Sequence, residues 1–124
     1  MVLSTTTDQK SGVIVVSIGG VILMDEESAS LRKLVRHLVK RYDQIVLDLG
    51  NVAHIDSGGV GTLVAAYVSA RRAGSGLKLA NLSDHTKEVL QVTKVVRLFE
   101  IFGNTEDAIL SFDRARGATA SASR

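Results

Sequence analysis

At 124 residues, with 45% hydrophobic, 23% charged and 4% aromatic side chains, the chain is sized for one soluble domain with an aliphatic core. The absence of cysteine excludes disulfides and thiolate metal sites, and no apolar run approaches the ~20 residues of a membrane span. The net charge of +2 comes from a tail that holds Arg114, Arg116 and Arg124 and no acid, whereas residues 1–113 hold one more acid than base. The body therefore offers no basic stripe for direct nucleic-acid contact.

Residues 1–10 are polar and Thr-rich. They lack the apolar stretch of a signal peptide and read as a flexible lead into one domain over 11–113. Residues 12–18 (G-V-I-V-V-S-I) are short and β-branched, which predicts a strand. Gly19-Gly20 breaks it, and 21–24 returns as the second arm of a hairpin. Over 25–42, Leu31, Leu34, Val35, Leu38, Val39 and Tyr42 share one face at helical spacing. Asp25, Glu26 and Glu27 at the start and Lys40 and Arg41 at the end suit the helix dipole. Residues 45–49 form a strand with Asp48 near its end. A second helix over 60–72 carries Val60, Leu63, Val64, Tyr67 and Val68 on one face and is closed by Gly74 and Gly76. Residues 77–82 alternate as a strand, and Asp84 caps a third helix to about residue 92. Residues 99–102 make a short strand, and Thr105 caps a last helix. Strands alternating with helices predict an α/β fold with a mixed sheet packed by helices, in a single domain. The tail, 114–124, is too poor in apolar residues to fold and reads as disordered.

The informative segment is 54–63, H-I-D-S-G-G-V-G-T-L. It leaves a strand and opens the second helix, with Asp56 and Ser57 at the turn and Gly58, Gly59 and Gly61 after it. Ser57 there can act as the helix N-cap, and the glycines keep bulk away from its hydroxyl. A phosphate-binding loop would need G-x-x-x-x-G-K-[ST], and no lysine is present. A hydrolase built on His54, Asp56 and Ser57 lacks the G-x-S-x-G elbow, since Ile55 stands two before the serine, and triad members come from separate segments. A phosphate on Ser57 would add about −1.5 to −2 charges at a helix N-terminus, where the dipole tolerates it. It would change the surface without unfolding the domain. Asp-Ser-Gly is also an ordinary turn sequence, and spacing alone leaves the turn and the regulatory serine equally open.

Elsewhere, His37 and His85 have no second ligand at metal spacing. Arg71-Arg72 complements a helix C-terminus. Tyr42 and Tyr67 read as core, and Val95, Val96 and Leu98 as core or an apolar docking patch.

The run 46–63, V-L-D-L-G-N-V-A-H-I-D-S-G-G-V-G-T-L, resembles the signature of STAS domains of the anti-sigma factor antagonist type. That signature is a hydrophobic strand with an Asp, a short linker and D-S-[ST]-G-[LV]-G. Asp56, Ser57, Gly59, Val60 and Gly61 match it, and Gly58 stands where the family has Ser or Thr. The resemblance extends over about residues 12–112, including L-K-L-A-N-L at 77–82 and F-E-I-F at 99–102.

The resemblance implies a cytoplasmic bacterial signalling protein that is not an enzyme and uses no cofactor or metal. The unmodified antagonist sequesters an anti-sigma factor that is also a serine kinase, and a sigma factor is freed to direct transcription. The kinase then phosphorylates the serine matching Ser57, binding is lost, and a protein phosphatase resets the switch. Asp56, Ser57, Gly58, Gly59 and Val60 are the implied partner surface. A second reading keeps the fold without a phosphate cycle: a constitutive subunit of a stress-signalling assembly or a lipid transporter, indifferent to charge at Ser57.

Overall fold

The computed structural model describes residues 4–10, 12–22 and 26–112. Among them five strands and four helices follow in the order β1 (Ser4–Lys10), β2 (Val13–Ile22), α1 (Glu26–Leu38), β3 (Gln44–Ile55), α2 (Ser57–Arg72), β4 (Gly76–Ala80), α3 (Asp84–Val92), β5 (Ile101–Phe102) and α4 (105–112). A 3-10 turn, Val95–Leu98, precedes β5. The sheet keeps chain order, β1-β2-β3-β4-β5, with β1 antiparallel to β2 and every later pairing parallel. The expected mixed α/β sheet is therefore present.

Right-handed crossovers that always step to the next strand place every crossover helix on one face. The side chains follow that rule. Ile14, Val16, Ile18 and Ile22 of β2 meet Ile45, Leu47 and Leu49 of β3 and Leu77 and Leu79 of β4 in the main core. Leu31 and Val35 of α1, Leu63 and Ala66 of α2, and Leu90 of α3 close over them. Alternate residues point to the opposite face. There Val13, Val15, Val46 and Ala80 form a smaller core with Ala108, Ile109 and Phe112 of α4. Burial on both faces explains why β2 reads as a near-continuous apolar run.

The smaller core also holds a cation. Lys78 is 9% exposed. Its Nζ donates to Ser111 Oγ at 2.6 Å, pairs with Glu100 at 2.9 Å and lies 4.0 Å from the ring centre of Phe112. A buried ammonium is tolerated when its donors are satisfied in this way.

Several boundaries differ from the sequence reading. Residues 4–10, read as a flexible lead, form edge strand β1, paired from Ser4↔Gly19 to Lys10↔Val13. Its described side chains are all exposed, so no hydrophobic alternation marks it. The hairpin therefore lies between β1 and β2, with Gly12 at φ 78°, and not at Gly19-Gly20. β2 runs through those glycines. Its pairing with β3 slips between Ser17 and Gly19 and again between Gly20 and Val21, and Gly20 has φ 98°. The glycines absorb an irregularity without ending the strand. Leu23 and Met24 of the expected second arm, and the tail from 114 on, lie outside the described residues.

α1 ends at Leu38, whose carbonyl accepts from Arg41 N and Tyr42 N at 2.9 Å each. Val39 and Tyr42 still pack against the main core, which is why the periodicity overruns the helix. β3 is longer than 45–49, because polar residues beyond it keep pairing with β2: Asn51 with Gly19, His54 with Val21 and Ile55 with Ile22. Asp48 ties strands together, its Oδ1 accepting from Gly50 N at 3.0 Å and Asn81 Nδ2 at 3.1 Å. Asn81, at φ 62°, ends β4 two residues before the expected boundary.

Candidate functional site

α2 begins directly where β3 ends. Asp56 is the last extended residue, at φ −111°, and its Oδ1 accepts from Gly59 N at 2.8 Å. Its carbonyl accepts from Val60 N at 2.9 Å, the first bond of the helix, and its own N–H reaches Ile22 O at 3.4 Å. Asp56 is thus the N-cap, in place of Ser57. Both residue types cap well. The backbone decides, because β3 stays extended through Ile55 and holds Asp56 against β2. Ser57 becomes the first helical residue, exposed, with its hydroxyl outside the cap. The same one-residue displacement occurs twice more. Ser83 Oγ accepts from Thr86 N at 3.2 Å to cap α3 where Asp84 was expected. Asn104 Oδ1 accepts from Asp107 N at 2.8 Å at the start of α4 where Thr105 was expected.

The inner side of this turn rests on β2. A Cβ at Gly59 would overlap the carbonyl oxygen of Ile22 and lie 2.7 Å from Ile55 Cγ1. Only glycine permits that approach of backbone to backbone. Gly61 differs, since a Cβ there meets nothing within 4 Å. Gly58 is half-buried, and its carbonyl accepts from Thr62 Oγ1 at 3.2 Å. Val60 is 4% exposed and belongs to the main core. Of the five residues expected to meet a partner, Asp56 and Ser57 are exposed, while Gly59 and Val60 face inward. These two shape the surface by fixing their neighbours and cannot touch a partner through their side chains.

The outer side opens on α3. Ser57, His85, Glu88, Val89, Val92 and Thr93 line a groove of about 310 Å³. Val92 is 75% exposed. At the rim, the ring of His54 stacks on His85 with 4.9 Å between centres and 18° between planes. The sequence reading missed this wall, because His54 and His85 stand far apart in the chain and each looks solitary. The available signal was Val92, an apolar residue off the Val89–Leu90 face.

A larger cavity of about 510 Å³ is lined by Tyr67, Arg71, Lys78, Leu98 and Glu100 among others, but its ammonium is already engaged by Glu100 and Ser111. Among the described residues no group of three or more His, Asp or Glu could hold a metal, and no helix is long and apolar enough to cross a membrane. The three groups of the hydrolase reading do not form a relay. Asp56 serves the Gly59 N–H and His54 lies on His85. What the geometry offers is an exposed hydroxyl at a helix N-terminus, beside a partly apolar groove.

The chain matches the STAS domain family over residues 4–108. It is 26% identical over 117 residues to BtrV of Bordetella bronchiseptica, provisionally described as an anti-sigma factor antagonist, covering 91% of this chain and 97% of that one. Its fold is similar to that of an anti-sigma factor antagonist from Mycobacterium paratuberculosis, with a TM-score of 0.76, 24% identity and coverage of 88% and 92%. It is also similar to the anti-sigma factor antagonist SpoIIAA in its unphosphorylated form, with a TM-score of 0.65, 18% identity and coverage of 92% and 99%.

Proposed function

The chain belongs to the STAS domain family, and from that premise we propose that it is an anti-sigma factor antagonist whose docking to a serine-kinase anti-sigma factor is switched at Ser57. The observation that carries this reading is the exposed Ser57 at the first position of α2, relieved of capping by Asp56. Such a serine can be modified without loss of the bond that starts the helix.

In the unmodified state the antagonist holds the anti-sigma factor through Asp56, Ser57 and Gly58 and the groove beside them, and a sigma factor is released. The kinase moves the terminal phosphoryl group of a bound nucleoside triphosphate to Ser57 Oγ. An O–P bond forms, the bond to the nucleoside diphosphate breaks, and the hydroxyl proton leaves to solvent or a base on the kinase. The product carries about −1.5 to −2 charges beside Asp56 and Glu88. The α2 dipole favours that charge by about 0.3–1 kcal/mol, so the domain keeps its fold while a partner packed across the turn meets like charge and bulk. A phosphatase returns the hydroxyl by directing water onto the phosphorus, releasing inorganic phosphate. With Gly58 in place of a hydroxyl residue, Ser57 is the sole hydroxyl acceptor in the D-S-G-G turn.

The test is site-mapped intact mass of the protein taken from its own cells, stressed and unstressed, together with binding of Ser57→Ala and Ser57→Asp to the anti-sigma factor. A phosphate on Ser57 that varies with condition, and a drop of tenfold or more in affinity for Ser57→Asp alone, are expected. Equal binding by the parent and Ser57→Asp, with no phosphate at Ser57, would replace the switch with the constitutive-subunit reading.

A further inference from the structure

A phosphate on Ser57 would enter an unfriendly groove. Glu88 lines it, and Asp56 stands at the cap of α2. Of the six lining residues, Ser57, His85, Glu88, Val89, Val92 and Thr93, His85 alone can become a cation. No lysine or arginine is among them. His85 is exposed and reaches the groove from the first turn of α3, while the ring of His54 at the end of β3 backs it at 4.9 Å. The other charged groups nearby in the chain are Asp84, before His85 on α3, and Lys87, after it.

We propose that the His54–His85 pair is the reader of a phosphate on Ser57: one imidazole takes up a proton and offers the phosphate its only cationic partner in the groove. This rests on the phosphorylation of Ser57 proposed above. The step is H⁺ plus imidazole giving imidazolium, with no other bond made or broken. Proton uptake and phosphorylation then reinforce each other. Acidification would stabilise the phosphorylated, released form of the protein, and a rise in pH would loosen the hold on the phosphate and present it to a phosphatase.

The experiment installs phosphoserine at position 57 during synthesis, so no kinase is needed. It follows two titrations by NMR: the ³¹P shift of the phosphate and the ring shifts of the two histidines. A dianion close to an imidazole in screened, water-like surroundings should raise the titration midpoint of the pair by roughly half to one pH unit relative to the unmodified protein. Linkage requires the midpoint of the phosphate to fall by a matching amount relative to a chain without the pair. His54→Gln/His85→Gln should therefore raise the phosphate midpoint by roughly half to one pH unit. His85→Gln alone should reproduce most of that change. Both residues are exposed, so the backbone amide spectrum reports that each variant stays folded. Equal ³¹P midpoints in the parent and the double variant would overturn the proposal. Failure to find phosphate on Ser57 in cells would remove the switch but leave this coupling as measured, so the two failures are distinguishable.

Discussion

The first turn of α2 has two sides with opposite demands. Its inner side is crowded: Gly59 presses its backbone on Ile22, Val60 enters the main core, and Asp56 closes the cap. Its outer side is open, with Ser57 facing a groove whose rim holds two histidines and an exposed valine. The difference teaches that a short glycine-rich motif can serve two masters. The glycine at 59 is a requirement of packing, whereas the serine at 57 is exposed and takes no part in the cap.

That division can be broken from the inside. Gly59→Ala should be the most damaging change, about 3 kcal/mol or more in urea or thermal unfolding, because the Ile22 backbone must move to admit the methyl group. A loss below about 1 kcal/mol would mean that β2 and α2 are not clamped at this point. Asp56→Ala should cost about 1 kcal/mol through loss of the cap, and Asp56→Asn should recover most of it, since an amide oxygen also accepts from Gly59 N. Gly61→Ala should move stability the other way, by about 0.5–1 kcal/mol, because the site is open and alanine is the better helix former. A destabilised Gly61→Ala would reveal a constraint that the local space does not show. Smallest of all, Ser57→Ala should leave the unfolding midpoint within about 0.5 kcal/mol of the parent. A larger loss would place the serine among the structural residues and weaken its assignment as a switch.

Much of this was legible in the sequence. The alternation of β-branched runs with helical periodicity indicated an α/β sheet, and 54–63 stood out as a strand-to-helix turn with an accessible serine. The cap was misread by one residue at Asp56/Ser57, Ser83/Asp84 and Asn104/Thr105. In each pair both residue types cap well, so local preference cannot choose between neighbours; at Asp56/Ser57 the reach of β3 through Ile55 decides. β1 was invisible because an exposed edge strand with polar side chains carries no alternation signal. The groove was invisible because it needs α3 beside α2, a tertiary fact. The His54–His85 stack joins strand and helix residues that no local pattern relates.

The order of the sheet has a consequence for how the molecule comes together. Every strand pairs with its immediate predecessor in the chain, so during synthesis from the N-terminus no strand must wait for a distant partner, and the ribosome can release the sheet one step at a time. The clamp between Ile22 and Gly59 can form as soon as the first turn of α2 has emerged, well before α4 arrives to seal the second face. Each parallel pairing still has to close across a helical crossover, as from Ile14 to Ile45 and from Gln44 to Gly76, so these closures and not the β1–β2 hairpin set the slow steps.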